Sequence, residues 1–178
     1  MANFEGRPTQ QLKELYLNLA DGQIGLIITG LSHVIGYKNL PNIGGLPFPL
    51  SIDEDRFIHD WKEVIDGIHR RGAKIAMQLI HLGCQEIPQL REPVGPSAIR
   101  FENSGVVSRE LTLSEINTLI DAFAQACRRV KDAGFDAVQL DGGHSNYFNG
   151  RSSFSPCYQF TADRRICRLC SDVQAADM

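Results

Sequence analysis

Residues 74–80, Lys-Ile-Ala-Met-Gln-Leu-Ile (KIAMQLI), decide the fold. The run is almost wholly apolar, follows Gly72, and is too short to make a helix of ordinary length, so it reads as a strand buried on both faces. Working outward, GLIITG at 25–30 and FDAVQL at 135–140 have the same character, rich in β-branched or aromatic side chains and opened or closed by glycine. Helical periodicity fills the intervals. Leu12, Leu15, Tyr16 and Leu19 mark a helix over Thr9 to Ala20, ended by Asp21-Gly22. Phe57, Ile58, Trp61, Val64, Ile65 and Ile68 mark a second, started by the capping-box pattern Ser51-Ile-Asp-Glu54 and stopped by Gly72. Ile116, Leu119, Ile120, Phe123 and Val130 mark a third, started by a second such box, Thr112-Leu-Ser-Glu115, and stopped by Gly134. About three strands alternating with helices imply a parallel sheet, because each return crossover needs a helix. The pattern fits either a partial (β/α) barrel or an open doubly wound sheet.

Composition fits an ordinary globular chain of 178 residues, 43% hydrophobic and 22% charged. A net charge of -3 with scattered Lys and Arg gives no footprint for nucleic acid or an anionic membrane. No apolar run is long enough to span a bilayer, and MANFEGRPTQ lacks a signal-peptide pattern, so a cytoplasmic location is expected. Five cysteines, unevenly placed, are expected to be reduced. Cys167 and Cys170 have the spacing of half a metal site, yet no second pair or nearby histidine completes it, and no metal is expected.

In either architecture ligands bind at the carboxyl ends of the strands. The candidates there are Thr29, Gly30 and Leu31; Gln78 and His81; and Asp141, Gly142, Gly143 and His144. No G-x-G-x-x-G opens a helix, which counts against a Rossmann nucleotide site. A carboxamide in an apolar strand, as at Gln78, must find partners; it serves either a structural bond or the edge of a planar heterocycle. His144 is either a donor to a substrate carbonyl oxygen or a capping residue, and the direction of His81 is left open by the uncertain strand end. A Schiff-base aldolase is disfavoured because no lysine ends a predicted strand.

Four segments in order, EGRPTQQLKELYLNLADGQIGLIITG, QLIHLGCQ, VGPSAI and RELTLSEINTLIDAFAQACRRVKDAGFDAVQL, resemble the old yellow enzyme family of NAD(P)H:flavin oxidoreductases, over about residues 3 to 144. The resemblance implies an FMN-containing eight-stranded barrel in which NADH or NADPH reduces the flavin and the flavin reduces the activated double bond of an α,β-unsaturated carbonyl compound. Carried over by position, Gln78 matches the glutamine that bonds the flavin pyrimidine ring, Thr29 to Leu31 approach the cofactor with backbone, and His144 faces the substrate oxygen. All of these, with Asp141, are expected around one concave region.

The chain departs from the family pattern at three points. The first member of the His-x-x-His or His-x-x-Asn pair is Asp141, and an ionised aspartate cannot donate to a developing oxyanion. The following tyrosine position is Asn146, with Tyr147 one place late. The arginine closing the Q-L-x-H-x-G-R pattern is Cys84. The match also begins inside the first helix and stops at the strand corresponding to the family's fourth, so residues 1–156 read as the N-terminal half of the barrel domain. Exposed edges and apolar surface are then expected to promote self-association. Residues 157–178 form an irregular tail. Codons for Thr161 to Ser171, read one base later with suitable third bases, permit R-R-T-D-G-Y-A-G-S-V, similar to the family's N-R-R-T-D-x-Y-G-G-S, so a shifted frame is one reading and a natural extension the other.

Overall fold

The computed structural model describes residues 2–37, 49–98, 100 and 105–141. The expectations for residues 142–178, including His144 and the cysteine-containing tail, lie outside the described residues.

The first compact unit comprises residues up to Ile80 together with Gln125–Leu140. It contains α1 (Gln10–Asp21), β1 (Leu26–His33), β2 (Leu50–Ser51), α2 (Arg56–Arg70) and β3 (Lys74–Ile80). The second unit runs over His81–Ala124 and takes in Asp141, and its described residues carry a 3-10 turn (Gly83–Gln85) and two short strands, β4 (Val94–Gly95) and β5 (Arg109–Glu110). Helix α3 (Leu113–Ala133) begins in the second unit and ends in the first, where β6 (Ala137–Leu140) follows.

In the first unit the strand order is β2-β1-β3-β6, with every pair parallel. The three strands read from sequence are therefore adjacent and parallel, as α/β alternation requires. All three predicted glycine stops hold: Gly22 caps α1, and Gly72 and Gly134, with φ of 81° and 98°, take the left-handed conformation that glycine adopts without strain.

Register assigns the sheet's faces. Ile27 pairs with Ile75, and Met77 with Val138; Ile75, Met77 and Leu79 are completely buried. This is the face that the helices cover, through Phe57, Trp61 and Ile68 of α2, Tyr16 and Ala20 of α1, and Val130 and Ala133 of α3, all buried. Trp61 anchors it, its ring 6.1 Å from that of Tyr16 and edge-on to Phe135 at 5.3 Å. On the other face Ile28 pairs with Ala76, and Leu31 with Gln78, which also pairs with Gln139. Here Leu26, Ile28 and Leu31 are 50%, 46% and 40% exposed, so this face lies open along β1, whereas Ala76 and Ile80 of β3 are buried.

The structure corrects four local readings. Leu15 and Leu19 are exposed, because α1 buries the narrower stripe Leu12, Tyr16 and Ala20, spaced four residues apart. Ile58, at the margin of the α2 stripe, is only half-buried. The Ser51–Glu54 capping box does not form: Ser51 belongs to β2, where it pairs with His33 and its N–H donates to the Gly6 carbonyl at 3.0 Å, and α2 starts after Asp55 without a side-chain cap. Strand β1 runs three residues beyond Gly30, past an irregularity between Ile28 and Leu31. The Thr112–Glu115 box does form, with the Glu115 N–H donating to Thr112 Oγ1 at 3.3 Å and the Thr112 N–H to Glu115 Oε2 at 2.8 Å.

Candidate functional site

The β1 irregularity builds the part of the site nearest Gln78. Ile28 pairs with Ala76 and Leu31 with Gln78, so Thr29 and Gly30 together stand opposite Met77 alone, the count of a β-bulge. A bulge breaks the ladder, and the backbone groups it releases need other partners. Thr29, 3% exposed, supplies one: its Oγ1 accepts the backbone N–H of Gln78 at 3.2 Å and donates to the Gly30 carbonyl at 3.0 Å. Tyr16 supplies another from α1, its hydroxyl accepting the Gly30 N–H at 3.2 Å. Burial pushes the Tyr16 phenol above the usual tyrosine range, against a smaller opposing pull from the Gly30 N–H.

This changes how the predicted trio works. Thr29 and the Gly30 N–H are engaged inside the protein, holding β1 against β3, and Gly30 offers a ligand space instead: a Cβ built there would meet no atom within 4 Å. Leu31 follows on the open face, in register with Gln78.

Gln78 lies near the carboxyl end of β3 and is half-buried. Its Nε2 donates to Oε1 of Gln139 at 2.8 Å, and its own Oε1 has no partner among the described residues. A planar ring bearing a carbonyl beside an N–H fits such a carboxamide, and the open space over Gly30 leaves room for a flat group. Sequence reasoning did not single out Gln139. The signal was present, a second carboxamide within an apolar strand, but only the register of β3 and β6 shows that the two meet.

At the opposite end of the same strands Asp136 accepts from the Ile75 N–H at 2.9 Å, His69 Nε2 at 2.8 Å and Lys74 Nζ at 2.8 Å. Burial tends to raise its pKa, but the bonds from Lys74, Ile75 and His69 outweigh this and hold it below the ordinary aspartate value. In a parallel α/β sheet this amino-terminal end serves stability.

In the second unit His81, 5% exposed, accepts the Gly83 N–H on Nδ1 at 3.1 Å, and its Nε2 stands 3.4 Å from Arg91 Nη1. His81 thus braces the turn that follows β3. Cys84 is buried, and its Sγ lies 2.5 Å from where a Cβ on Gly95 would stand, so a side chain at position 95 would displace it. Asp141 follows β6 and is 8% exposed. Among the described residues no cluster of His, Cys, Asp and Glu has the geometry of a metal site, and no helix is long and apolar enough to cross a membrane.

Comparison with known proteins agrees with this architecture. Residues 2–150 match the model of the NADH:flavin oxidoreductase / NADH oxidase family. The chain is 36% identical over 148 residues to an NADH oxidase of Thermoanaerobacter brockii, covering 81% of this chain and 22% of that protein. It is 34% identical over 131 residues to an NADPH dehydrogenase of Geobacillus thermodenitrificans, covering 73% of this chain and 36% of the relative. The crystal structure of Old Yellow Enzyme from Pichia sp. AKU4542 superimposes with a TM-score of 0.75 at 22% identity, covering 97% of this chain and 49% of that one. The chain thus spans about half of that structure and less of the curated relatives, and its fold is part of an α/β barrel. On the match over residues 2–150, the chain belongs to the NADH:flavin oxidoreductase / NADH oxidase family.

Proposed function

We propose that this chain forms the N-terminal half of an FMN-dependent barrel in which NADH or NADPH supplies electrons for reducing the activated C=C bond of an α,β-unsaturated carbonyl compound. The observation that carries the reading is the Gln78 carboxamide, presented near a strand's carboxyl end beside the open space over Gly30, in a chain of this family. FMN, when bound, supplies the hydride chemistry. Gln78 holds the edge of its ring, Gly30 lets that ring come close, and Leu31 gives it apolar surface. His144 donates to the substrate carbonyl oxygen, where negative charge grows as hydride reaches the β-carbon. Asp141 assists only in its protonated form, since an ionised carboxylate there would oppose that charge.

The reading is tested by gel filtration with added FMN followed by absorbance in the flavin band. The residues of this stretch offer a few hydrogen bonds, each contributing about 1 kcal/mol net. Their sum falls short of the ~4 kcal/mol that corresponds to a millimolar dissociation constant. The stretch alone is therefore expected to elute colourless and without alkene reductase activity, and a full-length barrel that contains it to elute yellow and active.

A second reading, a non-catalytic barrel piece that works by associating with another chain, is favoured by the open face carrying Leu26, Ile28 and Leu31. Sedimentation of the stretch alone distinguishes it: this reading expects a concentration-dependent oligomer and no flavin binding in any assembly.

A further inference from the structure

We propose that Gln139 is a positioning residue for Gln78, fixing which end of the Gln78 carboxamide meets the ligand. The inference rests on the flavin reading above and deepens it. The terminal torsion of a glutamine is broad and nearly two-fold, so an unrestrained carboxamide presents its oxygen and its amino group to a given point about equally. A ring edge with a defined donor and acceptor binds only one of these arrangements. Parallel register sets Gln139 directly beside Gln78 on the open face of the sheet, and the Gln78 Nε2–H···Oε1 Gln139 bond is 2.8 Å long. Turning Gln78 over would bring two carbonyl oxygens to that distance unless Gln139 turned as well. The pair therefore moves together or not at all. With one N–H spent on Gln139, Gln78 keeps one N–H and its carbonyl oxygen, a donor and an acceptor on one planar group. Their complement is the N–H and C=O edge of a cyclic imide or lactam.

Neither partner carries charge, so the pair is indifferent to pH, and this supplies a test. Glu in place of Gln139 is a charged acceptor while ionised and, once protonated, a weaker neutral acceptor that can also donate; Met keeps the length and removes the polar group. Both substitutions fall on an exposed position, so the sheet should tolerate them. The full chain, 15N-labelled, is observed at the Gln78 side-chain amide before and after addition of FMN. Without FMN, Gln139→Met should move the Gln78 amide protons upfield, and Gln139→Glu should hold them downfield near neutral pH and release them as the carboxyl protonates. With FMN, the wild type should respond weakly, Gln139→Met about twofold more weakly, because the freed carboxamide presents the binding arrangement only about half the time, and Gln139→Glu like the wild type except in acid. Unchanged Gln78 amide resonances in Gln139→Met overturn the proposal. If FMN perturbs no variant, the wild type included, the flavin-facing half of this proposal is overturned, while the flavin reading itself is decided by the colour of the full barrel and the ligand-free amide shifts still decide whether Gln139 positions Gln78.

Discussion

The hydroxyl of Thr29 accepts the backbone N–H of Gln78 at 3.2 Å, so a side chain closes the ladder between β1 and β3 where the bulge interrupts it. Thr29→Val keeps the shape and removes the acceptor, leaving a buried N–H without a partner. The expected cost is about 1–3 kcal/mol, read as a lower urea midpoint with an unchanged m-value. Thr29→Ser, which keeps the oxygen, should lose less.

Tyr16 closes the other side of the bulge through the Gly30 N–H. Tyr16→Phe should destabilise by about 0.5–1.5 kcal/mol, the net worth of one hydrogen bond, because Gly30 is exposed and water can take over its N–H. Burial raises the Tyr16 pKa, so the folded state holds the phenolic proton more tightly than the unfolded chain does. Stability should then fall as pH rises above the ordinary tyrosine value, and Tyr16→Phe should flatten that alkaline limb in denaturation curves recorded across the range.

Glu115 carries the acid-side counterpart. The Arg109 guanidinium grips it bidentately at 2.7 and 3.1 Å, and with the Thr112 backbone N–H and hydroxyl it holds the carboxyl down at about 2. A depressed pKa stabilises the fold above the unfolded value near 4.5 and loses that contribution as pH falls toward about 2. A 13C titration of the Glu115 carboxyl should show this. Arg109→Ala should raise the midpoint further toward 4.5 than Thr112→Ala does; a normal midpoint in the unsubstituted chain contradicts the account.

The parts of this fold that were legible in sequence are those with a period. KIAMQLI, GLIITG and FDAVQL are long enough for β-branched composition and flanking glycines to mark them, and they form the three adjacent strands β3, β1 and β6. Strands β2, β4 and β5 are two residues each, too short for alternation to show. Ser51 and Thr112 carry the same capping pattern, yet only Thr112 caps, because pairing with His33 claims Ser51 for the sheet. At the site, Gln78 stood out as polar among apolar neighbours. The bulge that turns Thr29 into a ladder partner, and the register that sets Gln139 beside Gln78, are tertiary facts without a local signature. His144 lies outside the described residues.

On the function proposed above, Asp141 takes the place of a histidine donor beside the substrate oxygen, where an ionised carboxylate would oppose the growing charge. In the full-length barrel Asp141→His should restore a donor pair with His144. The expected outcome is a gain of roughly tenfold or more in kcat for alkene reduction, in keeping with the 10²–10³ that a single oxyanion donor contributes elsewhere. Steady-state kinetics with one unsaturated ketone measures it, and no gain would show that position 141 does not face the reacting oxygen.

The central claim, that this stretch is half of a flavin barrel and holds its cofactor only together with the rest, is tested most directly by flavin absorbance after gel filtration with added FMN. The account predicts a colourless peak from residues 1–178 alone, a stoichiometric yellow peak from the full barrel, and a marked loss of colour from the full barrel carrying Gln78→Leu. A colourless full barrel, or a stoichiometric yellow peak from residues 1–178 alone, would contradict it.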